Sequence, residues 1–233
     1  MRGGVALVGA AAVAETALIR LGTTYGSTAQ ERAMPLPGDE IVPHPDVVTD
    51  HAITIDAAPE EVWPWLVQMG WHRGGWYTAR WVDRLFFPAN RPSADRIIPE
   101  LQAVRVGDFI PDGAPETECG FIVEHVEPQR ALVLHSTSHL PPSWRERRRA
   151  ELDWSWTFVL LPLKNGRRTR FLFRSRWTTA PWWFTLSGWL TVVPADFLMS
   201  RDMLRGVKRR AEARAAVDGH PWRTTVTTPL ERQ

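Results

Sequence analysis

The chain is poor in most features that announce a chemistry. It has a single cysteine, Cys119, so no internal disulfide can form and the fold does not depend on an oxidising compartment. Neither sign of charge dominates: 28 basic residues against 26 acidic leave a formal net charge of +2. No global field therefore calls for nucleic acid as a partner. There is no HExxH, no CxxC and no spaced His/Asp cluster, which argues against a metal site. Gly70, Gly74 and Gly75 form neither a dinucleotide nor a phosphate fingerprint, and no Gly-x-Ser-x-Gly elbow is present; no cofactor is expected. No stretch recurs at a fixed period, which excludes a solenoid. Tyrosine is scarce too, 2 residues against 13 tryptophans. Tryptophan supplies large apolar surface with one donor, which suits a roomy core, a ligand cavity or a membrane-facing rim.

What is present is the material of one globular domain. The chain has 233 residues, 44% hydrophobic and 23% charged, enough to bury a sizeable core. Arg2 precedes an apolar run over 5–14, which Glu15 and Arg20 interrupt. That run is too short and too polar to read as a membrane-spanning helix. A loosely packed helix, a membrane-associated segment and a cleaved secretion signal stay open, in that order. Residues 23–45 are polar and rich in Pro and Gly, an extended lead-in without a core of its own. The division expected is 1–44 as lead-in, 45–216 as the domain and 217–233 as a loose polar tail. The location this favours is cytoplasmic, with the N-terminal segment as a candidate membrane contact.

Residues 51–70 (HAITIDAAPEEVWPWLVQMG) read as a strand, a tight corner and a short helix. Pro59 suits the first helical turn, Glu60 and Glu61 favour the helix dipole, and Val62, Leu66 and Met69 form one apolar stripe. Pro64 lacks the N–H that would bond back to Glu60 and bends or shortens the helix. A second short helix is expected over 76–87, with Tyr77, Trp81 and Leu85 on one side. From residue 104 the period becomes that of strands: 104–110, then a hairpin of 120–126 and 131–136, then 152–161 and 169–177 joined at Asn165-Gly166. In the fourth of these, Leu152, Trp154, Trp156, Phe158 and Leu160 share a face. In the last, Phe171, Phe173, Ser175 and Trp177 share a face while Arg170, Arg174 and Arg176 mark a solvated side. A very apolar connector, 181–193, leads to a final helix with Pro194 at its first position and Asp196 in its first turn. Met199, Met203, Val207 and Ala211 give that helix its apolar stripe, and Lys208, Arg209, Arg210 and Arg214 load its C-terminal end.

In this order of elements, ITIDAAPEEVWPWLVQMG, GGWY, SADRIIPELQ with VGDFIP, and RDMLRGVKRRAE resemble one bacterial branch of the SRPBCC superfamily. That superfamily includes START lipid-transfer domains, pollen-allergen-like proteins and polyketide cyclase/dehydrase-like proteins. The resemblance covers roughly 45–215. It implies an α+β helix-grip fold, a curved antiparallel sheet wrapped around the C-terminal helix, with a hydrophobic cavity between them. Fold alone does not define activity.

For the site, His125 and His135 lie on predicted strands, and each reads first as a core or surface histidine and second as a catalytic base. Tyr77 is the third polar group to weigh. Glu116 and Glu118 beside Cys119 work against an activated thiol. The basic run 145–149 next to Trp144 reads first as a solvated loop and second as a contact for an anionic surface. The residues expected to line a ligand cavity are Tyr77, Trp81, Trp154, Trp156, Phe158, Phe171, Phe173, Met199 and Met203. The leading expectation is a protein that binds a small apolar or amphipathic molecule, such as a lipid, polyketide or aromatic metabolite. The alternatives are a cyclase- or dehydratase-type enzyme and a membrane-apposed interaction module. Oligomeric state is not legible.

Overall fold

The computed structural model describes residues 14, 16–86 and 90–218. Its framework is one antiparallel sheet of six strands: β1 (Val47–Ile55), β2 (Phe109–Pro111), β3 (Gly120–Glu127), β4 (Ala131–Ser136), β5 (Glu151–Leu163) and β6 (Arg168–Ala180). The order across the sheet is β1-β6-β5-β4-β3-β2, so the first strand closes against the last. Residues 16–24 are helical, and the helices that follow include α1 (Ala29–Ala33), α2 (Pro59–Val67), α3 (Arg80–Phe86), α4 (Pro142–Glu146), α5 (Trp182–Ser187) and α6 (Val193–Asp218). The sheet curves and α6 packs across its concave face, the helix-grip arrangement.

Strand alternation decides what each face carries. Along β5 and β6, Trp156, Phe158, Leu160, Phe171 and Phe173 turn inward and join Val62, Leu66, Leu204, Val207 and Ala211 of the two helices in the main core. Each fully buried Val, Leu or Phe side chain among them stabilises the fold by about 1.5–3 kcal/mol. Gly206 lets α6 come close to the loop before α3, because a Cβ there would lie 2.1 Å from the carbonyl oxygen of Tyr77.

The convex face is not the solvated side that the arginine pattern predicts. The lead-in folds across it, and Leu36 packs with Ala52, Ala131, Val159 and Leu172 in a second core. Arg174 is 3% exposed. Its guanidinium donates to Asp50 (2.7 Å), Asp39 (2.8 Å) and the carbonyls of Met34 and Arg32 (both 3.0 Å). Arg170 grips both carboxylate oxygens of Glu31, at 2.7 and 2.8 Å, and the hydrogen bond from Arg170 is the main reason the Glu31 carboxyl is held down at about 2. Alternating arginines here are a latch for the lead-in, because buried guanidinium is tolerated once each donor finds an oxygen.

Three further elements differ from expectation. The strand predicted over 104–110 is formed only at Phe109–Pro111. The helix expected over 76–87 is shorter, Arg80–Phe86, because Gly75 and Tyr77 take left-handed backbone (φ 77° and 59°). This resets the phase: Tyr77 is fully buried, whereas Trp81 and Leu85 are 52% and 65% exposed. The connector over 181–193 is itself helical: α5, then a π turn over Gly188–Val192, run directly into α6. The N–H of Val193 bonds back to Gly188. Pro194 has no N–H to return to Leu190, and the wider turn accommodates its ring without ending the helix. Asp196 therefore does not stand at a helix start. Among the described residues, no helix is long and apolar enough to cross a membrane; the run over 5–13 and the tail over 219–233 lie outside them.

Candidate functional site

Where α6 leaves the π turn it stands away from the sheet, and a cavity of about 310 Å³ opens between them. Asp196, Met199, Ser200 and Met203 face it from α6, a set at i, i+3, i+4 and i+7 that shares one side of a helix. β5 contributes Trp154 and Trp156, the loop after α2 contributes Trp71, Trp76 and Thr78, and α3 contributes Asp83. Asn90 and the turn Asp112-Gly113-Ala114 complete the lining.

The loop between α2 and α3 is held firmly. Arg73 folds back to cap the end of α2, donating to the carbonyls of Val67 (2.8 Å) and Met69 (2.9 Å). The Gln68 amide spans to the carbonyl of Arg96 (3.1 Å) and the N–H of Ile98 (3.0 Å). The Trp71 N–H donates to the Pro111 carbonyl at 2.7 Å. These bonds fix Trp76 against Trp156, with ring centroids 5.2 Å apart, and Trp156 in turn stacks on Trp154 at 5.6 Å. Trp154 donates its indole N–H to Ser175 at 2.7 Å. The indole N–H groups of Trp76 and Trp156 are buried and have no hydrogen-bond partner among the described residues; each residue is 8% exposed.

The polar lining is carboxylate and hydroxyl. Asp83 accepts from the Thr78 hydroxyl at 2.5 Å, and Asp196 accepts from Ser200 at 3.1 Å. Burial pushes the Asp196 carboxyl up to about 6, with the Ser200 hydrogen bond pulling weakly the other way. Asp112 meets Nε2 of His139 at 2.9 Å, and Nδ1 of that ring lies 2.7 Å from the Ser136 hydroxyl. The His139 ring is wedged between Phe121 and Trp154. This Asp-His-Ser series does not present a nucleophile to the cavity, since Ser136 is 4% exposed and is also engaged by the N–H of Ser138. Among the described residues, no three His, Cys, Asp or Glu side chains are gathered closely enough to hold a metal ion.

Of the residues expected at a site, Trp154, Trp156, Met199 and Met203 come together at the cavity. Phe158, Phe171 and Phe173 are buried in the core beside it, where α6 sits down on the sheet. Tyr77 is placed elsewhere: its hydroxyl donates to the Trp65 carbonyl at 2.9 Å, and Arg210 covers its ring at 4.8 Å. Burial pushes that phenol above its ordinary value, so it serves as a packing pin. Trp81 points to solvent for the helical-phase reason given above. His125 is exposed, at the bulge of β3. His135 also faces away from α6, 2.6 Å from Asp153 and 3.5 Å from Glu124. The Cys119 thiol is pushed up to about 11, first by burial and then by Asp112, not by the adjacent glutamates. Sequence reasoning missed Trp71, Trp76, Asp83, Asp112 and Asp196. Trp76 and Asp83 fell within the helix expected over 76–87, whose lining side was read as Tyr77, Trp81 and Leu85, and Asp196 was assigned to a helix dipole.

No protein-family model and no curated protein matches the chain. Among solved structures, a hypothetical protein of Helicobacter pylori is similar over 77% of this chain and 96% of its own, at 12% identity and a TM-score of 0.47. CalU16 from Micromonospora echinospora is similar over 73% and 87%, at 18% identity and a TM-score of 0.33. The Aha1 dimer from Colwellia psychrerythraea is similar over 67% and 93%, at 19% identity and a TM-score of 0.34. Likenesses of this degree carry no functional argument.

Proposed function

We propose that this protein binds a small hydrophobic or amphipathic molecule in the space between β5 and the N-terminal half of α6. The observation that carries the reading is the cavity of about 310 Å³, walled by four tryptophans and two methionines on a rigid frame. That volume is at the lower end for small-molecule sites, and a mainly apolar wall with a few polar groups is their usual chemistry. The two methionines lend the wall adaptability. The resemblance of residues 45–215 to the SRPBCC superfamily supports the same reading. The test is organic extraction of the purified protein followed by mass spectrometry, with tryptophan emission titrated against a panel of small lipids and aromatics. A stoichiometric extract, or saturable emission changes, supports binding. An empty extract together with an emission spectrum that no panel member moves defeats it.

One observation favours an enzymatic reading as the second choice. A carboxyl held at about 6 beside a hydroxyl is suited to moving a proton near neutral pH. On that reading Asp196→Asn keeps affinity and loses turnover. A peripheral membrane contact is suggested separately by Trp182, Trp183, Leu186, Leu190 and Val192, all between 43% and 75% exposed on the helical connector; sedimentation with lipid vesicles at low salt tests it.

A further inference from the structure

We infer that the molecule this cavity takes carries a positive charge, that of a hydrophobic amine or quaternary ammonium. The inference rests on the ligand-binding reading above and adds the charge of the ligand to it.

Among the described residues, the lining includes Asp83, Asp112 and Asp196 and no lysine, arginine or histidine. Asp112 is answered by His139. Asp83 and Asp196 are not: among the described residues their side chains meet hydroxyls only, from Thr78 and Ser200. A buried carboxylate without a counter-charge is costly, and proteins normally supply a cationic partner. Both carboxyls line the cavity. An anionic ligand such as a fatty acid would face these carboxyls with no cation to receive it. An organic cation would find both a counter-charge and the faces of Trp71, Trp76, Trp154 and Trp156, which attract ammonium groups through their ring quadrupoles. A bare metal ion fits less well, because the acidic groups are not gathered at coordinating distance. A cation bound beside Asp196 would lower the carboxyl's raised value. The titratable groups sharing the space are Asp83 from α3 and Asp112 backed by His139, so pH effects are assigned by variant.

The test uses three probes of equal chain length, octyltrimethylammonium, octanol and octyl sulfate, each titrated into the full chain and followed by tryptophan emission and calorimetry at pH 7.5. The ammonium is expected to bind at least about tenfold more tightly than octanol, with octyl sulfate weakest. Asp196→Asn and Asp83→Asn, each checked by circular dichroism, should bring the ammonium-to-octanol affinity ratio towards one. Ammonium affinity should also rise between pH 5 and 7 in the unaltered protein, and rise less over that range in Asp196→Asn. If octanol binds as well as the ammonium, or octyl sulfate binds better, the cationic inference falls while the cavity reading stands. If none of the three saturates, the cavity reading itself falls.

Discussion

Replacing Asp196 by asparagine should stabilise the free protein, and by an amount that depends on pH in a defined way. In the folded chain the carboxyl titrates at about 6, against 3.8 for an ordinary aspartate. Between those values the folded state keeps a proton that the unfolded chain has released, so the group's contribution to stability falls as pH rises through the window and is level above it. At roughly 1.4 kcal/mol per pH unit, the ionised carboxylate costs the fold about 3 kcal/mol at pH 7.5. Asparagine does not ionise. The variant should match the parent near pH 4 and exceed it by about 2–3 kcal/mol at pH 7.5, less whatever its own buried amide leaves unsatisfied. The parent's profile alone does not show this, because His51 opposes it. Burial in β1 holds His51 neutral down to about 4, against 6.5 ordinarily, so its contribution is full above 6.5 and lost as pH falls towards 4. Only the difference between variant and parent isolates Asp196. Urea unfolding followed by tryptophan emission at pH 4, 5, 6 and 7.5 measures that difference. Parallel curves, or a variant weaker than the parent at pH 7.5, would show that the carboxylate is already solvated or paired, and the argument from an uncompensated buried charge would be refuted.

Other consequences follow from the frame around the cavity. Arg174→Ala strands Asp50 and Asp39 under the lead-in and should cost about 3–5 kcal/mol, with limited proteolysis between residues 30 and 46 appearing before global unfolding. Glu31→Gln should lose about 1–2 kcal/mol at pH 7, a figure reduced for the partial exposure of its pair with Arg170. Because the Glu31 carboxyl is held at about 2, that contribution is present above the ordinary value near 4.5 and fades as pH drops towards 2, so unfolding curves of variant and parent should converge there. Gly206→Ala pushes a methyl into the Tyr77 backbone and should lower stability by about 1–3 kcal/mol in thermal or urea unfolding.

Much of the frame was legible because it is written in short-range periodicity. The alternation of Trp154, Trp156 and Phe158 with Asp153, Ser155 and Thr157 placed β5 and its inward face, and Asn165-Gly166 placed the β5–β6 hairpin. The stripe Met199, Met203, Val207 and Ala211 set the orientation of α6. What could not be read was the partner of each polar residue. Arg174 looks the same in sequence whether it meets water or Asp50, 124 positions away in the chain. Asp196 after Pro194 has the local signature of a helix start, and only the π turn before it shows that the helix began at Trp182. The left-handed turn at Tyr77 likewise broke the helical phase that would have made Trp81 a lining residue. Part of the candidate site, Trp154, Trp156, Met199 and Met203, was thus visible from pattern, whereas Trp71, Trp76 and the acidic residues were not.

The central claim, that the tryptophan-walled space admits an apolar molecule, is tested most directly by contact quenching with a brominated alkyl chain. Titration of the full chain with 8-bromooctyltrimethylammonium should quench tryptophan emission saturably at one molecule per chain, and Met203→Trp, which fills the space, should abolish the saturable phase. Quenching that rises linearly without saturating, and does so equally in Met203→Trp, would contradict it.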